Sequence, residues 1–274
     1  MDFPGLRAGG FDNQVGGVMG IFDRFRLDGA VALITGGGGG LGSAIALAFA
    51  EAGADIAVNG RTREPLEKVR DSVQRLGRRC LVVQGDICDG AFATEAVEQV
   101  IAEFGRLTIL VNNVGGLAGD EVPKPAMQIE EQFWNGQIDL NLNSVWRLTR
   151  RAVPRMTDGG VILNMSSIRA FQPENGSAAY AAAKAGLNAL TLALAHDLAP
   201  KFRVNGIAPG PVPTDAFKEK RRVTEADFPR IAKEWGVPLE RLGVPDDIAA
   251  AALYLASPAG SWITGQTLIV AGGM

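Results

Sequence analysis

Along residues 29–274, short apolar runs alternate with stretches whose apolar positions recur at helical spacing, with no linker-like break between them. The pattern predicts strands at 30–35, 55–59, 80–84, 107–112, 161–165, 203–207 and 268–270. Between them it predicts helices at 41–52, 64–76, 91–104, 132–156, 178–198 and 246–257, two of them closed by Gly53 and Gly77. A strand and a helix of this length, repeated, give the crossover connections of a parallel sheet. The expected fold is α/β: one domain with a doubly wound, mostly parallel seven-stranded sheet and helices on both faces.

The helices at 178–198 and 248–256 are apolar on nearly every side, so each is expected to be buried against two surfaces. One surface is the sheet and the other a second copy of the chain, in a homodimer or homotetramer. Residues 213–238 interrupt the alternation and read as a substrate lid. In it Phe217, Phe228, Ile231 and Trp235 would wall an apolar substrate.

Composition narrows the class. A chain of 274 residues fits one large core, and a formal net charge of −3 gives no general attraction to nucleic acid or anionic membrane. Cys80 and Cys88 have no histidine at ligand spacing, so neither a structural disulfide nor a metal site is expected, and a reducing cytoplasm fits. No apolar run is expected to reach the roughly 20 residues that span a bilayer. Residues 1–21 lack the basic start and apolar stretch of a signal peptide; they read as a flexible tail before a domain at 22–274.

The first strand runs into Thr35-Gly36-Gly37-Gly38-Gly39-Gly40-Leu41-Gly42 and then a helix. Glycines at such a junction let backbone N–H groups approach a pyrophosphate, aided by the helix dipole. Two registers fit: Gly37, Gly39 and Gly42, or the wider Gly36, Gly40 and Gly42. The second strand ends Asn59-Gly60-Arg61-Thr62, with no carboxylate to accept from an adenine ribose. Arg61 and Thr62 instead suit a 2′-phosphate, which favours NADP(H) over NAD(H). Tyr180 and Lys184 lie one turn apart on one helix face. A neighbouring ammonium favours the phenolate, so Tyr180 is a candidate general acid/base whose pKa Lys184 would lower. His196, beside Asp197 late on the same helix, reads as a surface residue, and the charged run 218–222 as a solvated helix face.

Together these residues resemble the short-chain dehydrogenase/reductase family, from about residue 22 to the C-terminus. The glycine turn has the family's Thr-Gly-x-x-x-Gly-x-Gly form, which selects the wider register. Asp86-Ile87 is similar to its adenine-contact pair, and Asn112-Asn113-Val114-Gly115 to Asn-Asn-Ala-Gly, with Val in place of Ala. Asn141 matches the catalytic Asn of the long helix. Ser167, thirteen residues before Tyr180, is preferred to Ser166 as the catalytic serine. The segment Pro209-Gly210-Pro211-Val212-Pro213-Thr214 is similar to the one that closes over the nicotinamide. Two positions depart: Gly39, where many NADP-preferring members carry Lys or Arg, and Ala271, where Asp is common.

The resemblance implies a Rossmann fold and an oxidoreductase interconverting a ketone and a secondary alcohol by hydride transfer, with NADP(H) favoured and NAD(H) the alternative. The cofactor would meet Gly36, Gly38, Gly40, Leu41, Gly42, Arg61, Thr62, Asp86, Ile87, Asn113, Val114, Gly115, Pro209, Val212 and Thr214, with Tyr180 and Lys184. Ser167 would hold the substrate oxygen and Tyr180 pass it a proton. Lys184 would bind the nicotinamide ribose, and Asn141 would hold a water linking Lys184 to solvent. Pro123-Lys124-Pro125, the residues 214–218 and Ser261-Trp262-Ile263-Thr264-Gly265-Gln266 are similar to 7α-hydroxysteroid dehydrogenases. A hydroxysteroid is therefore the expected substrate, with a 3-oxoacyl thioester of acyl carrier protein or CoA as the alternative. A nucleotide-sensing scaffold without turnover would be expected to lose one of Asn141, Ser167, Tyr180 and Lys184, and all four are present.

Overall fold

Seven strands are observed: β1 (Val31–Thr35), β2 (Asp55–Gly60), β3 (Cys80–Gln84), β4 (Ile109–Asn112), β5 (Val161–Met165), β6 (Arg203–Pro209) and β7 (Thr267–Val270). They come from a computed structural model that describes residues 20–116 and 124–274. The tail at 1–19 and Pro123 of the Pro-Lys-Pro motif lie outside the described residues. The sheet order is β3-β2-β1-β4-β5-β6-β7, and every neighbouring pair is parallel, so the sheet is wholly rather than mostly parallel. The chain moves outward from β1 to β3, then returns to place β4 on the other side of β1. That reversal opens a crevice at the C-terminal ends of β1 and β4, where ligands of such sheets bind.

The helices are α1 (Gly40–Glu51), α2 (Arg63–Arg75), α3 (Gly90–Phe104), α4 (Glu131–Ile138), α5 (Ser144–Ala152), α6 (Ala178–Leu198), α7 (Asp215–Arg221), α8 (Phe228–Glu234) and α9 (Pro245–Ala256). Alternate side chains of a strand serve opposite faces. Ala32 and Ile34 accordingly join Ile45, Phe49, Val58, Ile248 and Leu255 under α1 and α9. Val31 and Leu33 join Val97, Leu110, Leu148 and Ile162 under α3 and α5. Burying strands on both sides explains why they read as apolar runs.

Three expectations are corrected. The helix expected at 132–156 is divided: α4 passes through a π turn, Asp139–Asn143, into α5. The helix α6 is, at 21 residues, long and apolar enough to cross a membrane, contrary to the sequence reading. It lies instead on the sheet, burying Ala179, Ala183, Leu187, Thr191 and Ala195 together with the charged Lys184. In the lid, Ile231 is buried with Ala232, Val237 and Leu242, so it holds the lid together instead of walling a substrate, while the partly buried Phe228 packs on them and also lines a cavity with Gly40 and Thr214. Phe217 meets Trp235 edge-on, with centroids 6.0 Å apart, and the Arg221 guanidinium lies over both rings.

Candidate active site

The crevice is tied together where β1 and β4 end. Thr35 Oγ1 accepts from the backbone N–H groups of Asn113 (2.9 Å) and Val114 (3.0 Å). Asn113 Nδ2 returns bonds to the carbonyls of Thr35 (2.9 Å) and Gly36 (3.2 Å). The glycine turn is thus fixed against the loop after β4. Gly36 and Gly40 have φ of 63° and 54°, in the left-handed region that favours glycine. A Cβ on Gly42 would lie 2.2 Å from the Gly36 carbonyl oxygen. Gly39, by contrast, is extended and has open space around it. Geometry therefore asks for glycine at the wider register and not at Gly39. Helix α1 begins without a side-chain cap, so its N-terminal N–H groups and dipole are left for an anion beside Gly38 and Leu41.

Where the adenosine was expected, Arg61 and Thr62 are exposed at the end of β2, and the Arg61 carbonyl accepts from Gln84 Nε2 at 3.2 Å. Asp86 Oδ1 accepts from the N–H of Cys88 at 2.9 Å, shaping the turn above buried Ile87. Where the nicotinamide was expected, Pro209 ends β6, and Val212 packs on the core. Thr214 caps α7 by accepting from the N–H of Phe217 at 3.4 Å. Its methyl lies so near the glycine turn that a Cβ on Gly40 would meet it at 2.9 Å.

The candidate catalytic groups converge from three elements. Ser167 follows β5 and caps the 3₁₀ turn Ile168–Ala170, its Oγ accepting from the Arg169 N–H at 3.2 Å. Ser166 turns inward and donates to Asn188 Oδ1 at 2.6 Å, which leaves Ser167 as the serine whose hydroxyl acts on Tyr180. Lys184 is 2 % exposed; its Nζ donates to the Met165 carbonyl at 2.7 Å and lies 5.8 Å from the centre of the Tyr180 ring.

Burial dominates both titrations. It pushes Lys184 down to about 7, because the ammonium has lost water and faces a carbonyl dipole instead of a carboxylate. Burial also raises Tyr180, opposed by the Ser167 bond and the Arg169 charge. The expectation that Lys184 lowers Tyr180 is therefore corrected for the unliganded chain: desolvation outweighs the neighbouring charges.

Asn141 sits in the π turn, fully buried. Its Nδ2 donates to the carbonyls of Gly116 (2.9 Å) and Gln137 (3.1 Å), and its Oδ1 accepts from the Gly116 N–H (2.9 Å). The amide therefore clamps the loop after β4 to the helix. A Cβ on Gly115 would lie 2.9 Å from both Asn141 Oδ1 and Lys184 Nζ. Gly115→Ala is accordingly expected to cost about 1–3 kcal/mol of stability and to displace both side chains, read by thermal melting and by cofactor titration.

Sequence reasoning missed Thr35 as a site residue, although it opens the glycine motif. It also missed Gln137, signalled only by its place one turn before Asn141, and Arg169, which no periodicity marks. His196 is exposed on α6, three turns beyond Lys184. In the charged run, Lys218 is engaged by Asp215 (2.7 Å) and Glu225 (3.7 Å).

The chain is similar to known proteins over most of its length. A family model described as enoyl-(acyl carrier protein) reductase matches residues 37–274. An uncharacterized oxidoreductase of Mycobacterium tuberculosis is 44% identical over 257 residues, 93% of this chain and 95% of that protein. The 7α-hydroxysteroid dehydrogenase of Escherichia coli is 37% identical over 254 residues, 92% and 96% of the two chains. A solved 7α-hydroxysteroid dehydrogenase complexed with NADH and 7-oxo glycochenodeoxycholic acid superposes with a TM-score of 0.84 at 38% identity, covering 92% of this chain and 96% of its own. A 3-oxoacyl-[acyl-carrier-protein] reductase of Chlamydia muridarum is 36% identical over 249 residues, 89% and 96% of the two chains.

Proposed function

We propose, from the premise that this chain belongs to the short-chain dehydrogenase/reductase family and is one of its oxidoreductases, that it interconverts a ketone and a secondary alcohol on a hydrophobic, steroid-like substrate. The observation that carries the reading is the meeting of Ser167, Tyr180 and Lys184 beside the glycine turn at the sheet's reversal point. The uncapped start of α1, the glycines that no Cβ could replace and the buried Lys184 fit a nicotinamide dinucleotide. Gly36, Gly38, Gly40, Leu41 and Gly42 would hold its pyrophosphate, Asp86 and Ile87 its adenine, and Lys184 its nicotinamide ribose. When bound, that dinucleotide supplies or accepts the hydride.

Ser167 holds the substrate oxygen by a hydrogen bond, next to the Tyr180 hydroxyl. Tyr180, a phenol protonated at neutral pH and held more firmly so by burial, donates its proton in reduction and takes one back in oxidation. Lys184, titrating at about 7, exchanges protons readily at neutral pH. Arg61 and Thr62, exposed where the adenine ribose would end, favour NADP(H). Trp146 on α5 and Leu192 on α6, 45% and 47% exposed, support a homo-oligomer in which a second copy covers them.

The test is a panel of steroid and aliphatic ketones, their alcohols and 3-oxoacyl thioesters, run with NADPH, NADH and the oxidised forms. Turnover of a steroid ketone or alcohol with NADP(H) is expected, and Arg61→Ala should weaken NADP(H) about tenfold with NAD(H) unchanged. Turnover confined to 3-oxoacyl thioesters would replace the steroid reading with the one favoured by the Chlamydia relative. Cofactor oxidation with no member of the panel would reject the enzymatic reading.

A further inference from the structure

Between the ends of β6 and β7 and the start of α9 lies a cavity of about 180 Å³. Val212, Val237, Leu239, Ile248, Val270 and Ala271 line it. The described residues that border it include none of Asn141, Ser167, Tyr180 and Lys184. Ile248, Val237 and Ala271 are buried, while Leu239, 65% exposed, stands at the mouth. The polar groups at its edge are already engaged. The N–H of Gly210 donates to the Val270 carbonyl at 2.9 Å, that of Leu239 to the Gly272 carbonyl at 3.0 Å, and that of Gly243 to the Pro211 carbonyl at 3.0 Å. Arg241 and Asp247, also on the edge, satisfy each other through two bonds of 2.7 and 2.9 Å. A water needs two to four polar partners, whereas an apolar cavity of about 150 Å³ stays dry and takes up benzene or xenon.

We propose that this cavity is an accessory binding site for a small uncharged apolar molecule, a single ring or branched chain of about six to eight non-hydrogen atoms, and that its occupancy steadies the segment Pro209–Thr214. Position 271 sets the character of the space: where aspartate is common in the family, Ala271 adds only a methyl group. Gly210, Pro211 and Val212 form one wall, and they belong to the segment expected to close over the nicotinamide. Val212 also presses on the chain at Gly243, where an added Cβ would meet its Cγ2 at 2.9 Å. A molecule in the cavity gives this wall packed atoms to rest on. A segment steadied in that way has less freedom to lose when a dinucleotide arrives, and the coupling acts equally in both directions.

Binding in the cavity does not depend on the ketone–alcohol reading; the effect on a dinucleotide rests on the cofactor part of it. The test titrates the full-length chain, labelled at its Ile and Val methyl groups, with benzene. A Kd on the order of 1 mM is expected, with shifts centred on Val212, Val237 and Ile248. Xenon pressed into crystals should occupy the same place. Ala271→Leu, which fills the space, and Ala271→Asp, which sets a charge in it, should each weaken benzene about tenfold or more. If neither benzene nor xenon enters this cavity in the wild-type chain, the inference is overturned, whether or not the variants fold. Benzoate binding there more tightly than benzene, by drawing Arg241 away from Asp247, overturns the assignment of an uncharged ligand. With benzene saturating, the Kd for NADPH or NADH should fall about fivefold. Equal values overturn the coupling. Benzene in the cavity of a chain that binds neither dinucleotide supports the site and rejects the cofactor reading instead.

Discussion

Tyr180→Phe is expected to lower kcat by about 100- to 10,000-fold, the range removed with a general acid/base, while the dissociation constant for the cofactor stays within a few-fold. Phe keeps the ring that packs near Lys184 and deletes only the hydroxyl. The loss should therefore appear in the chemical step and not in binding. Single-turnover hydride transfer and cofactor fluorescence titration separate the two. Wild-type kcat in this variant would remove Tyr180 from the mechanism.

The second large effect concerns stability. In the unfolded chain Lys184 titrates at its ordinary 10.5, and in the folded, unliganded chain at about 7. Below about pH 7 both states are protonated, and the cost of burying the ammonium is borne in full. Between those values the unfolded chain holds the extra proton, so stability rises with pH. Across that window the gain is on the order of 5 kcal/mol. Lys184→Met should remove this component: the variant should be the more stable protein near neutrality, its advantage shrinking toward pH 10. It should also be inactive, because Met neither exchanges a proton nor binds a ribose hydroxyl. Urea unfolding of both proteins from pH 6 to 10 measures the difference, and parallel pH dependences would show that Lys184 is not held at a depressed value.

Much of this architecture was legible before any coordinates. The bounds of α6 follow from Gly176 and Ser177 before it and Pro200 after it, which punctuate the chain strongly. The wider glycine register is the one whose members have positive φ or would meet backbone through a Cβ. The π turn was not legible, because Ile138, Leu140, Leu142 and Val145 carry apolar character through it without a break. Titration was misread for a different reason. A spacing of four residues says that Tyr180 and Lys184 are neighbours, but not that both have lost their water. The lid was legible only in part: Ile231 is as apolar as a substrate wall requires, and only packing reveals that it is buried within the lid itself.

The widened turn at Asp139–Asn143 holds one residue more than an α-helical turn would, which rotates everything beyond it by about 100°. Its effect is to set a phase. A chain shorter by one residue here would still form an unbroken rod and still cover the sheet with Val145 and Leu148, yet the carboxamide at 141 would point elsewhere. The direction of one buried carboxamide is thus set by an angular offset between two halves of one helix, and two chains with identical residues at these positions could differ in it.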